Sequence, residues 1–202
     1  MIYSCFFIDI STNLKLFLTI LVKKWYNKAI RNYLMKEVFM YKVNDHVVYK
    51  RDVCIIKDIK TNSKKRKCYI LGPIDDKSLT IEVPVENMNE AIRDIISKEE
   101  VNKIIKSIPN VEIISLVNDK LFEQEYKHLL NTGNHEDLIK IIKTTSSRNE
   151  ERAKNKKKIG EKDDIYFNKA EKLLYNEFSI SLNMTFDETK EYVKQQVEKK
   201  LA

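Results

Sequence analysis

The spacing of apolar residues changes its period once along the chain, and this change constrains the fold more than any other feature. Between Tyr41 and Val83 apolar and polar residues alternate, which is the period of a half-buried strand. From Ser97 onward apolar residues recur every three or four positions, which is the period of an amphipathic helix. We therefore predict an α+β protein with strands in residues 40–95 and helices in residues 96–202.

Four or five antiparallel strands are expected before residue 88. Alternating or β-branched runs cover Tyr41–Tyr49, Val53–Ile59, Lys67–Leu71 and Leu79–Val83, and Pro84 then removes the next ladder donor. Strands this short must curl strongly to enclose a core. The pattern therefore favours a small SH3- or Tudor-like antiparallel β-barrel.

Start and stop signals divide the second half of the chain into five helices. Ser97 with Glu100, and Thr185 with Glu188, have the spacing of capping boxes that begin the first and the last helix. The other predicted boundaries are Pro109, Asp119, Gly133, Asn134 or His135, and the pair Asp163 and Asp164. Short loops between these helices predict a compact helical bundle.

The charge of the chain is concentrated locally. Of the net charge of +7, residues 1–39 carry +4, so the remaining residues are only weakly basic. Residues 143–158 include two acidic and seven basic residues. The basic ones are Lys143, Arg148, Arg152, Lys154, Lys156, Lys157 and Lys158. This segment has the composition of a phosphate-contacting edge, and the alternative is a solvated helix end.

Residues 1–39 are expected not to belong to the working protein. The apolar run Phe6–Val22 is interrupted by Asp9, Asn13 and Lys15, which argues against a membrane span. Codons for Lys36-Glu37-Val38 can form a ribosome-binding sequence just before Met40. We therefore expect Met40 to be the natural start, with an amphipathic extension as the alternative.

Catalytic and metal-binding constellations are not recognisable in the sequence. The three cysteines lack CxxC spacing and the three histidines are scattered, so we predict no metal, no cofactor and no enzymatic activity. Cys54 and Cys68 lie among apolar residues and are expected to be small buried thiols in a reducing cytoplasm.

Five segments of the first half form an ordered set of motifs: Tyr41–Tyr49, Val53–Ile56, Tyr69–Leu71, Leu79–Asn87 and Ile92–Glu100. In order and spacing they resemble the CarD/CdnL family of bacterial transcription regulators, whose first domain is shared with transcription-repair coupling factors. The resemblance implies a barrel-like domain that docks on the lobe of the RNA polymerase β subunit. It also implies a helical domain that contacts promoter DNA, with little sequence specificity, and modulates open-complex stability.

Such a protein is expected to be a cytoplasmic monomer without catalytic activity. The alternative left open is a generic small-barrel interaction module whose partner is not polymerase. A hydrolase or nuclease would need a catalytic constellation that the sequence does not offer.

The polymerase-binding residues implied by the resemblance differ chemically from those of the family. The positions of its basic contacts hold Asn62 and Glu82 here. Nearby basic residues that could replace them are Lys64, Lys65, Arg66 and Lys67. A charged hairpin tip is the alternative interpretation. Asn44 and Lys50 stand where the family often has glycine or proline, so the first turn is expected to differ.

The family's tryptophan wedge against the DNA minor groove has no tryptophan equivalent here. The nearest match is Phe122, just before the segment Glu125-Tyr126-Lys127, and Lys127 is added to the predicted DNA contacts. Phe122 can serve as an apolar wedge, but its helical spacing is equally typical of a core residue.

Overall fold

The computed structural model describes residues 41–87, 91–116 and 118–201. Residues 43–202 form one compact unit. The interpretation of residues 1–39 as a leader lies outside the described residues, and a domain boundary at residue 95 stays a prediction.

A five-stranded antiparallel sheet forms the first part of the described chain. Its strands are β1 (His46–Tyr49), β2 (Asp52–Thr61), β3 (Lys67–Pro73), β4 (Ile81–Pro84) and β5 (Ile92–Asp94), in the spatial order β4-β3-β2-β1-β5. The expected barrel is not closed, because β4 and β5 are the two edges and do not pair. A register shift between Ile56 and Asp58 bends β2, so the sheet encloses apolar side chains without joining its edges.

The fifth strand lies later in the sequence than the alternating pattern indicates. The described part of residues 40–87 holds four strands, and β5 follows at Ile92–Asp94. β5 pairs with β1, with Val48 opposite Arg93. Cys54 and Cys68 are buried free thiols, as predicted, and burial raises the pKa of Cys54 to about 11.

Two turns around β1 adopt a backbone conformation that favours glycine. Asn44 has a φ of 75° and Lys50 a φ of 58°, both in the left-handed region. Left-handed backbone costs a residue with a Cβ about 1–2 kcal/mol. The chain therefore has, at both positions, a backbone suited to glycine.

Lys50→Gly is expected to stabilise the protein by about 0.5–1 kcal/mol, since relief of the left-handed strain exceeds glycine's entropic cost. Thermal unfolding should show a rise of about 2 °C. Lys60→Gly is the matched control, because Lys60 lies within β2 and glycine weakens a strand. A lower melting temperature for Lys50→Gly would contradict the strain argument.

Five α-helices follow in the described residues. They are α1 (Lys98–Ser107), α2 (Asp119–Thr132), α3 (His135–Lys154), α4 (Glu161–Leu182) and α5 (Phe186–Leu201). Both predicted capping boxes are present: the Ser97 hydroxyl accepts from the Glu100 amide at 3.2 Å, and the Thr185 hydroxyl accepts from the Glu188 amide at 3.3 Å. No described helix is long and apolar enough to cross a membrane. The predicted α+β class, an antiparallel sheet followed by helices, is confirmed.

Helix α4 begins at Glu161, two residues before the predicted Asp163, and buries polar side chains along its length. Two of these side chains contact different neighbouring elements. Glu171 pairs with Lys190 of α5 at 2.8 Å, and the Asn176 amide donates to Asp75 beside the sheet at 2.8 Å. Because each buried polar group needs its partner, α4 fixes the neighbours around it in one arrangement.

Candidate functional site

The turn between β2 and β3 is organised by Asn62. Its side-chain oxygen accepts hydrogen bonds from the backbone amides of Lys64 at 3.0 Å and Arg66 at 3.1 Å. Its backbone amide donates to the Arg66 carbonyl at 2.9 Å. Lys65 occupies the left-handed position of this turn, with a φ of 57°. Asn62 is therefore the residue that shapes the hairpin, and Lys64 and Lys65 are exposed at its tip.

The six predicted polymerase contacts gather at one end of the sheet. Lys67 begins β3 opposite Thr61 of β2, and Glu82 lies on the edge strand β4 opposite Ile70. Asn62 Nδ2 lies 3.4 Å from the sulfur of Cys68, whose thiol pKa is raised by burial and by the nearby Glu82 carboxylate. The hairpin and the edge strand thus form one continuous surface with basic and acidic groups side by side.

Lys143 has a structural position. Its ammonium group donates to the carbonyls of Ile108 at 3.0 Å and Pro109 at 3.1 Å, and also to that of Val111. These three bonds use all three donors of the ammonium group and satisfy carbonyls where α1 ends. In this structure Lys143 therefore caps these carbonyls, and its contact with DNA stays a prediction.

Arg148 and Arg152 are held by a buried carboxylate. Asp163, 3% exposed, accepts from Arg148 Nε at 3.1 Å and lies 3.5 Å from a terminal nitrogen of Arg152. The Tyr126 hydroxyl donates to the same carboxylate at 3.2 Å, and burial together with the Asp163 charge raises the pKa of Tyr126. Much of the charge of these two arginines is thus compensated inside the helical part.

Phe122 belongs to the core. Its side chain is 6% exposed and packs in the apolar cluster of the helices, 6.0 Å from the ring of Tyr126 between centroids. The Arg148 guanidinium lies over the ring, 4.0 Å from its centroid. In this arrangement the Arg148 guanidinium, not a base pair, covers a face of the ring. Of the two interpretations that the sequence left open, the burial supports the core residue.

The exposed part of the basic segment is the turn that links α3 to α4. Lys156, with a φ of 53°, donates its amide to the Ala153 carbonyl at 2.9 Å, and the Lys157 amide donates to that of Arg152 at 2.8 Å. This pair of bonds is the Schellman motif that ends a helix. The side chains that it presents to solvent are those of Lys154, Lys156, Lys157 and Lys158. We call these four residues the lysine turn.

Lys127 is exposed on α2 and paired within the helix. Its ammonium lies 2.9 Å from Glu123, which also contacts Lys162 of α4. Hydrogen bonds from these two lysines lower the pKa of Glu123 to about 2. One carboxylate thus serves two lysines, which leaves a net positive charge near Lys127.

A buried ionic cluster joins the sheet to the helices, and no sequence motif indicates it. Glu177 of α4, with its side chain 4% exposed, accepts a bidentate bond from Arg93 of β5, one arm at 2.8 Å. His135 at the start of α3 lies 2.8 Å from the same carboxylate. Burial opposes ionisation of Glu177, but the bonds from Arg93 and His135 outweigh it and lower its pKa to about 2.

Comparison with known proteins identifies the sheet. A scan of protein-family models matches residues 41–96 to the CarD-like/TRCF RID domain. Residues 41–96 therefore form a CarD-like domain, and the match does not extend to the helices that follow. The CarD-like domain contains all five strands of the sheet and ends just before α1. A search of the curated proteins found no match.

The CarD-like domain is of an RNA polymerase-interacting type, so RNA polymerase is the partner that the match supports, and transcription regulation the role. The family is not typically enzymatic. Among the described residues, no group of three or more histidine, cysteine or acidic side chains is arranged to hold a metal ion.

Proposed function

We propose that this protein is a non-enzymatic, monomeric transcription regulator that binds the lobe of the RNA polymerase β subunit and contacts promoter DNA in the cytoplasm. The match of residues 41–96 to the CarD-like domain carries the polymerase part of the proposal. By binding one state of the promoter complex more tightly than another, the protein would shift the population of open complexes.

The docking surface that we propose is the end of the sheet formed by β4 and the β2–β3 hairpin. An edge strand such as β4 offers a row of backbone donors and acceptors on its outer side. A strand of the partner can add to this row, with affinity from main-chain hydrogen bonds. The charged residues Lys64, Lys67 and Glu82 would then select the partner by charge.

The DNA contact that we propose is the lysine turn, with Lys127 as a further basic residue. The four lysines of the turn are exposed and lie within five residues of one another where α3 ends. Lysine binds phosphate as a point charge, so this contact should depend on salt and carry little sequence preference. Arg148 and Arg152 are paired with the buried Asp163 and are not proposed as primary contacts.

Binding of the full-length chain to the isolated β lobe tests the polymerase contact. Lys64→Glu combined with Lys67→Glu should weaken binding by about tenfold or more, because it reverses two charges at the docking surface. Lys103→Glu with Lys194→Glu makes the same charge change on α1 and α5 and should leave the affinity within about twofold.

Absence of binding by the unmodified chain would refute the β-lobe assignment and favour a small-sheet interaction module with another partner. Equal reductions of affinity in the two double variants would place the docking surface elsewhere.

A further inference from the structure

Helices α1 and α5 enclose a second basic groove, at a distance in sequence from the lysine turn. The groove has a volume of about 570 Å³. It is lined by Asn102, Ile105 and Lys106 of α1 and by Tyr192, Gln196, Lys199 and Lys200 of α5. The α5 residues recur at intervals of three or four and therefore share one face of the helix.

Hydrogen bonds between the two helices fix the groove at both ends. The Tyr192 hydroxyl donates to the side-chain oxygen of Asn102 at 3.1 Å, and the Lys200 ammonium donates to the Lys106 carbonyl. Ile105, 3% exposed, lies on its inner side. Because both walls are tied together, the groove exists before any ligand binds, which lowers the entropic cost of binding.

The charged residues that line the groove are all lysines. It presents three ammonium groups, two side-chain amides and a phenol, and none of its described lining residues carries a carboxylate. Lysine and amide side chains are among the usual donors to phosphate oxygens of DNA. The sheet–helix cavity lined by Asp75 and Lys172, in contrast, contains both signs of charge.

Lysines in the last turn of a helix also offset its dipole, and Lys106, Lys199 and Lys200 all occupy such positions. Lys200 serves this purpose directly through the Lys106 carbonyl. The dipole alone does not account for the two side-chain amides, Asn102 and Gln196, on the same groove.

We propose that this groove holds the phosphate backbone of duplex DNA, as a contact separate from the lysine turn. The choice of DNA rests on the proposed function, because a regulator docked on polymerase lies near promoter DNA. The groove and the lysine turn would then act as two independent electrostatic contacts, and their contributions to the salt dependence of binding should add.

The test is fluorescence anisotropy of a labelled duplex with the full-length chain, with the affinity measured over a range of salt concentrations. Lys106→Gln with Lys199→Gln should reduce the slope of log affinity against log salt by about 1.8, or 0.9 for each phosphate that the variant no longer neutralises. Between about 50 and 200 mM salt the affinity of the unmodified chain should then fall about twelvefold further than that of this variant. Lys60→Gln with Lys77→Gln is the matched control, since it removes the same charge from β2 and from the turn between β3 and β4.

Each other outcome decides between explanations. A slope equal to that of the control would overturn the proposal, and a lower melting temperature with an unchanged slope would assign the lysines to the helix dipole. Unchanged DNA binding with abolished binding to polyglutamate would overturn it in favour of an acidic protein surface. If Lys154→Gln with Lys157→Gln behaves as the control while the groove variant has a reduced slope, the lysine turn fails as a DNA contact and the groove stands.

Discussion

Phe122→Ala is expected to lower the free energy of unfolding by about 3–5 kcal/mol, the usual range for removal of a fully buried aromatic side chain. The ring is 6% exposed, contacts Tyr126 and lies beneath the Arg148 guanidinium. Its removal would leave a cavity and take away the support under Arg148. In a chain of this size the melting temperature should fall by about 10 °C.

Thermal unfolding of the full-length chain measures this effect, with Leu121→Ala as the control. Leu121 is the neighbouring residue on α2 and is 45% exposed, so its truncation should cost far less. If Phe122→Ala instead kept its stability but no longer stabilised open complexes, Phe122 would be a DNA wedge and its buried position would not be the functional one.

Glu177→Gln is expected to lower the free energy of unfolding by about 3 kcal/mol, because it removes the buried charge that pairs with Arg93, whose side chain is itself 40% exposed. The change is nearly isosteric, so the destabilisation would come from charge and hydrogen bonding. Glu198→Gln on α5 is the matched control, since Glu198 is exposed.

The effect of Glu177→Gln should depend on pH in a definite direction. The pKa of Glu177 is lowered from 4.5 to about 2 in the folded protein by Arg93 and His135, against the effect of burial. The stabilisation is therefore complete above about pH 4.5 and is lost as the pH falls toward 2, by up to about 3 kcal/mol. Denaturant unfolding at several pH values should show the two proteins converging in acid. A constant difference between them down to about pH 2 would contradict the assignment.

Much of the fold follows from local sequence patterns, but elements that depend on distant residues do not. Strands β1 to β4 and the two capping boxes depend on neighbouring residues and could be predicted. The strand β5 could not, because its three residues are strands only through pairing with β1, more than forty positions earlier. The open sheet likewise depends on which edges meet, and alternation along the chain does not encode that.

The candidate site shows the same limit for charged residues. A count along the sequence treats Lys143, Arg148 and the lysine turn alike. Lys143 donates hydrogen bonds to carbonyls 32 to 35 positions away, and Arg148 donates to Asp163, 15 positions away. The groove between α1 and α5 escapes the same count, because its lysines come from segments that are far apart in the chain and only the packed helices bring them together.

The most direct test of the central claim is the lifetime of promoter open complexes formed by a cognate polymerase holoenzyme, with and without the full-length chain. The proposed function predicts that the unmodified protein changes this lifetime and that Lys64→Glu with Lys67→Glu removes the effect by weakening the docking on polymerase. An unchanged lifetime together with no detectable binding to the holoenzyme would contradict it.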